Sequence, residues 1–279
     1  MVKVSRPYVA WVLAKRELMS TLYSFGFYIF IAAATLVAGL VLQNYLSSVR
    51  QAGMLITVSP LDAPFFGAVV AFSIYLALAS ATSIAREKDL QTIEVLFYGP
   101  VDSTSFILGK YIKGLLGYLV MAVFLVFYFA LTSGLANLGL AGRFWQTFLL
   151  SLFLVSCIVS FGILFSALTN GVRSSLLLFL GAIGLLIAIQ LVHSFLIGLS
   201  SDVLSQPLVY IRNSVSIIAL IVRWISPIAY FFEGIDAISL SSGTKYLVSS
   251  ASSVVYSVVL LALSVVILRA KGIRGVREE

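Results

Sequence analysis

The spacing of charge constrains this chain more than any other feature. Six stretches of its 279 residues, 22–42, 64–85, 114–134, 144–168, 174–199 and 246–268, contain no Asp, Glu, Lys or Arg. A hydrocarbon core about 30 Å thick is crossed by roughly 20 apolar residues as helix, because lipid offers backbone polar groups no partners. Each stretch meets that length. Mean hydropathy is +1.09 and only 10% of residues are charged, which excludes a soluble globular domain. The expected fold class is all-α, a polytopic membrane protein with six transmembrane helices forming one domain over 1–279. The first apolar run far exceeds the h-region of a cleavable signal peptide, so it is expected to remain as a span. The single cysteine, Cys157, lies in mid-span. It rules out an intrachain disulfide or a Cys-based metal cluster and reads as a packing residue.

Lysine and arginine predict the orientation. Lys3, Arg6, Lys15 and Arg16 precede the first span. Arg86, Lys88, Lys110 and Lys113 lie between the second and third, Arg173 between the fourth and fifth, and Arg269, Lys271, Arg274 and Arg277 after the sixth. These are thirteen of the 18 basic residues. By the positive-inside rule both termini and the 86–113 segment are expected in the cytoplasm of a multi-pass cell-membrane protein. The net charge of +7 follows from topology and implies no nucleic-acid partner.

Two segments are amphipathic or broken. Residues 3–21 read as an interfacial helix, with Tyr8, Trp11, Val12, Leu18 and Met19 toward lipid and Lys3, Arg6, Lys15 and Arg16 toward water. Residues 214–232 are apolar enough for a seventh span but contain Arg223 and Pro227. An arginine at mid-membrane costs about 2.5–3.5 kcal/mol on insertion scales. A seventh span would also carry the basic carboxy terminus to the other side. Residues 203–240 are therefore expected to form an outer re-entrant element, broken at Ser226-Pro227.

The most polar internal segment is 86–110, REKDLQTIEVLFYGPVDSTSFILGK. Read as one helix over 86–98, it places Leu90, Ile93 and Phe97 on an apolar stripe at i, i+3 and i+7. Glu87, Gln91 and Glu94 fall on the opposite side. Gly99-Pro100 stops that helix, and Asp102 or Ser103 caps the next, which runs through Phe106 and Lys110 into the third span. An amphipathic helix between two spans suits docking against a soluble partner. The bland alternative, a solvated connector, requires neither the stripe nor the cap.

These residues carry a resemblance to the ABC-2 type exporter permeases. The matching positions are Arg86-Glu87, Thr92, Glu94-Val95-Leu96, Pro100-Val101 and Leu108-Gly109-Lys110. Lys15-Arg16-Glu17-Leu18 before the first span and Trp224-Ile225-Ser226-Pro227 before the last are similar as well. Gln91 departs from the pattern, since the family usually has Gly before the Thr. The resemblance implies six spans, an outer re-entrant element including Arg223, Ser226 and Pro227, and a cytoplasmic coupling helix that docks on an ATPase subunit. Arg86, Glu87, Leu90, Thr92, Ile93, Glu94, Leu96, Phe97, Pro100, Val101, Gly109 and Lys110 are the coupling residues so implied.

Other function classes fit less well. Gly109-Lys110 has Thr104 where a P-loop needs its first Gly and Tyr111 where it needs Ser or Thr. No cofactor is thus expected in this chain, with ATP and Mg belonging to a partner ATPase. A second permease copy or homologue and the bilayer complete the expected partners. An ion-coupled carrier or channel usually needs carboxylates at membrane depth, and the six stretches have none. An intramembrane serine protease built from Ser241-Ser242-Gly243 and His193 lacks an oxyanion context. His193, near the outer end of its span, has no Cys, His or carboxylate neighbour in sequence and reads as a packed residue. Gly109, Gly114, Gly117, Gly181 and Gly184 are expected to let helices pack closely.

Overall fold

Charge-free runs of span length satisfy their backbone in lipid only as helices, and every one of them does so in the computed structural model. It describes residues 6–52, 61–98, 101–136, 142–198, 206–240 and 242–271. These contain ten helices: α1 (Arg6–Leu22), α2 (Phe25–Ala52), α3 (Asp62–Asp89), α4 (Thr92–Phe97), α5 (Ser103–Ala136), α6 (Gly142–Leu168), α7 (Val172–Gly198), α8 (Gln206–Ile225), α9 (Pro227–Ser239) and α10 (Gly243–Ala270). Six of them, α2, α3, α5, α6, α7 and α10, are long and apolar enough to cross a membrane.

The bundle is built around α6, which packs on α3, α5, α9 and α10. In lipid the hydrophobic effect does not hold helices together, so close approach and interhelical hydrogen bonds must. Both are present. At Gly162 a Cβ would lie 2.9 Å from the Ala81 backbone nitrogen, and at Gly114 one would lie 2.8 Å from Val159 Cγ1. Gly181 and Gly184 differ from the expectation, because a Cβ there meets nothing within 4 Å. They lie on α7, the least buried of the six long helices. Hydroxyls form a seam between α5, α6 and α10. Tyr118 donates to Ser151 (2.5 Å), Tyr111 pairs with Ser156 (2.6 Å), and Ser156 donates to Ser257 (2.8 Å). Cys157 lies in this seam, its thiol donating to the Ser253 carbonyl.

Inter-helix contacts define two ends. At one, Ser105 Oγ donates to the Arg6 carbonyl, Lys88 Nζ to the Ala167 carbonyl and Lys271 Nζ to the Leu168 carbonyl. The starts of α1 and α5 therefore meet the finishes of α3, α6 and α10, and most of the basic residues among the described ones lie on these helix ends. At the other end Phe65 meets Phe129 and Phe144, and Tyr246 donates to the Gln146 carbonyl.

Helix α1 lies across the foot of α5, burying Val9, Ala10, Leu13 and Ala14. Gly109 permits the approach, since a Cβ there would sit 3.1 Å from Leu13 Cβ and 3.2 Å from the Ala10 carbonyl. Tyr8, Trp11, Val12 and Met19 remain exposed on the other face.

Candidate functional site

The site is assembled where α3 runs out of apolar sequence. The last turn of α3 carries Arg86, Glu87, Lys88 and Asp89. A single helix over 86–98 was the expectation, and the chain departs from it. Leu90 N–H bonds to the Arg86 carbonyl and Gln91 N–H to the Lys88 carbonyl, which closes α3, and Gln91 adopts φ 53°. That left-handed conformation breaks the helix, and α4 starts at Thr92. It also accounts for the glycine that the permease pattern prefers here, since a Cβ makes this conformation costly.

The break reassigns the apolar stripe. Ile93 and Phe97 are 5% and 6% exposed and belong to this chain's own core. The Phe97 ring lies 5.6 Å from that of Phe106 on α5, and Leu96 is partly buried against the same core. Leu90, by contrast, points out at 62% exposure, together with Val95 at 70% and Tyr98 at 83%. The outward apolar face is thus Leu90, Val95 and Tyr98 rather than Leu90, Ile93 and Phe97. Thr92 Oγ1 donates to the Glu87 carbonyl. The Glu94 side chain, Gly99 and Pro100 lie outside the described residues. Val101 is buried. Of the two candidate caps it is Asp102 that accepts the N–H of Ser105 (3.1 Å), and Arg6 Nε stands 3.0 Å from its other oxygen.

Glu87 was expected on the side of the helix opposite the stripe, and it turns inward. Lys110, with 5% of its side chain exposed, lies 2.6 Å from Glu17 and pairs also with Glu87. One ammonium therefore ties α1, α3 and α5 together. Burial of a charge is tolerable only with such pairing. Lys113 follows one turn later on α5, 3.9 Å from Glu17. Arg86 is exposed beside these groups and lines a cavity of about 720 Å³ with them.

A second set of bonds fastens the finish of α3 to the α6–α7 turn. Lys88 Nζ donates to the carbonyls of Ala167 (2.9 Å) and Thr169 (2.7 Å), and Asp89 Oδ2 accepts the Val172 N–H (2.8 Å). From α10, Lys271 Nζ donates to the Leu168 carbonyl and to Asn170 Oδ1. Burial there lowers the Lys271 ammonium from its ordinary pKa. These bonds tie the finish of α3 to the α6–α7 turn, and the finish of α10 to the same turn. Sequence reading missed Lys88, Asp89 and Lys271 as a group. The available signal was that charges bordering a span seek partners on neighbouring elements.

At the opposite end, α8 and α9 meet at an angle of 87° about Ser226. Ser226 is extended (φ −80°, ψ 117°) and Pro227 opens α9, a position where its missing N–H costs nothing. The carbonyls left free at the end of α8 are taken by phenols: Tyr230 donates to Trp224 (2.8 Å) and Tyr256 to Ile225 (2.6 Å). Arg223 is neutralised across the bend by Glu233 at 2.6 Å. Phe231 of α9 stacks on Phe66, and Ser249 donates to the Tyr230 carbonyl. Residues 203–205 of the expected re-entrant element lie outside the described residues. His193 is half-buried and lines a cavity of about 400 Å³ with Arg223, Glu233 and Asp236. Among the described residues no group of three or more His, Cys, Asp or Glu side chains is placed to hold a metal ion.

Residues 11–273 match the family model described as ABC-2 family transporter protein. No curated protein matches the chain.

Proposed function

The chain belongs to the ABC-2 transporter family, and from that premise we propose that it is the membrane-spanning permease subunit of an ATP-driven exporter, docking on a separate ATPase through α4. The observation that carries this reading is the split role of α4. Its inner residues Ile93 and Phe97 are packed into the chain's own core. Leu90, Val95 and Tyr98 stand exposed at the basic end of the bundle. An exposed apolar face rimmed by charge is the kind of surface a soluble partner covers. The chain lacks a P-loop and needs such a partner for ATP, with its Mg²⁺.

On this reading both termini and α4 are cytoplasmic in a cell-membrane protein, and the α8–α9 pair is an outer re-entrant element. A second permease, identical or homologous, and two ATPase subunits complete the assembly. Closure of the ATPases on ATP would press on α4. The Lys110 ion pairs and the Lys88–Asp89 bonds would transmit that push to α1, α3, α5 and the α6–α7 turn, opening a path between the two permeases. The charge-free spans favour a lipidic, amphipathic or hydrophobic cargo.

Topology and partner are tested separately. Reporters fused after Lys113 and Lys271 are expected to read cytoplasmic, and one near Lys245 external. A cytoplasmic signal at Lys245 overturns the six-span arrangement. An ATPase encoded in a neighbouring reading frame should co-purify with the wild-type permease and lose that association with Val95→Asp or Tyr98→Asp. Unchanged co-purification with both variants would make α4 a connector.

A further inference from the structure

A cavity of about 720 Å³ opens at the basic end between α1, α3 and α5. Its charged lining is Arg16, Glu17, Arg86, Glu87, Lys110 and Lys113. The charges do not balance, since four cations face two carboxylates. Both carboxylates are engaged by Lys110, and Lys113 has only a 3.9 Å approach to Glu17. Arg16 and Arg86 make no ion pair among the described residues. Ser20, Thr21 and Ser83 also line the cavity, the last two donating to the Glu17 and Ser80 carbonyls of their own helices. Excess positive charge in a partly enclosed space attracts an anion more strongly than the same charge in open water. Two guanidinium forks match the oxygens of a phosphate.

The cavity does not end in polar groups. It shares Thr21, Tyr75, Ala79, Ser83, Lys110 and Lys113 with a narrow cleft that continues to Phe27, Leu76, Gly114 and Gly117. That cleft, about 30 Å³ in volume, is mostly apolar and is bounded by α1, α2, α3 and α5, so a cationic mouth leads to a small apolar throat. We infer that this vestibule binds the phosphate headgroup of an anionic amphiphile, the carbon next to the headgroup reaching the cleft and the rest of the chain remaining in lipid. A soluble phosphate compound shares the headgroup chemistry but leaves the apolar throat unused. The assignment concerns the permease alone and does not rest on its docking to an ATPase.

The test uses the full-length chain in detergent, with bound probe counted by native mass spectrometry. The probes are dihexanoyl phosphatidylglycerol, dihexanoyl phosphatidylcholine and inorganic phosphate. Arg16 and Arg86 are exposed, so the double variant R16Q/R86Q is compatible with the fold. Lys15, exposed and outside the cavity lining, supplies the charge control K15Q. Wild type is expected to bind the phosphatidylglycerol in preference to the phosphatidylcholine. R16Q/R86Q should weaken phosphatidylglycerol binding by about tenfold or more, the loss of charge-assisted bonds to an anion, and K15Q should leave it unchanged. Wild-type affinity in R16Q/R86Q would overturn the assignment, as would an equal loss in K15Q, which would mean bulk surface charge. Displacement of the lipid probe by inorganic phosphate at comparable concentration would assign the site to soluble phosphates and overturn the amphiphile.

Discussion

Lys110 on α5 and Glu17 on α1 are 2.6 Å apart, with 5% of the lysine side chain exposed. The same ammonium also holds Glu87 on α3. Breaking a buried pair by removing one partner typically costs about 3–5 kcal/mol, because the remaining charge is stranded. Lys110→Met strands two carboxylates and is expected to lower the unfolding temperature clearly in detergent. Glu87→Gln leaves a neutral side chain opposite a lysine still paired with Glu17, so its effect should be smaller. Equal melting of wild type and Lys110→Met would show that the ion pairs contribute nothing.

Gln91 offers a gain rather than a loss. A non-glycine residue in the left-handed region costs about 1–2 kcal/mol. Gln91→Gly should therefore stabilise the chain by about 1 kcal/mol, and Gln91→Val should destabilise it by at least as much. Thermal unfolding of the three proteins side by side is the check. Destabilisation by glycine would contradict the turn described here.

Gly162 and Gly181 make a matched pair of tests. Alanine at 162 brings a methyl group to within 2.9 Å of the Ala81 backbone nitrogen, whereas at 181 it meets nothing within 4 Å. Gly162→Ala should separate α3 from α6 and reduce the yield of folded protein, since overpacking commonly costs about 1–3 kcal/mol. Gly181→Ala should be close to neutral in the isolated permease. The comparison is read from monodisperse yield and melting temperature, and reversal of the order would refute the packing.

These tests also mark what the sequence could and could not convey. The six long helices were legible because lipid forbids unpaired backbone, so a charge-free run of 20 residues leaves little choice. A cap at Asp102 or Ser103 and the break at Ser226-Pro227 were legible from local chemistry. The stripe of Leu90, Ile93 and Phe97 was misread because a 3.6-residue period was carried through Gln91 as if the helix were continuous. Once Gln91 turns left-handed the phase resets, and Leu90 parts company with the other two. Helix pairing was invisible for a different reason. Packing in lipid depends on small residues and hydroxyls, so the serines at 249, 253 and 257, spaced four apart along one face of α10, carried a signal that hydropathy alone discards. The partners of Glu17, Asp89 and Glu233 depend on which helices meet, which no local pattern encodes.

The bonds from Lys88 and Asp89 to the α6–α7 turn predict a variant that assembles without coupling well. Asp89→Ala removes the acceptor of the Val172 N–H and touches neither the outward face of α4 nor Lys110. ATPase co-purification should persist while transport-linked ATP hydrolysis falls severalfold. If hydrolysis stays at the wild-type level, the turn takes no part in transmission.

Site-specific photocrosslinking distinguishes an α4 that meets an ATPase with its outward face from one that does not. A photoreactive amino acid is placed singly at Ile93, Val95 and Tyr98 in membranes that contain both proteins. Crosslinks to the ATPase are expected from positions 95 and 98 and not from 93, whose side chain is buried in the permease itself. Crosslinking from 93 in preference to 95 and 98, or from none of the three, would mean that α4 does not dock through its outward face.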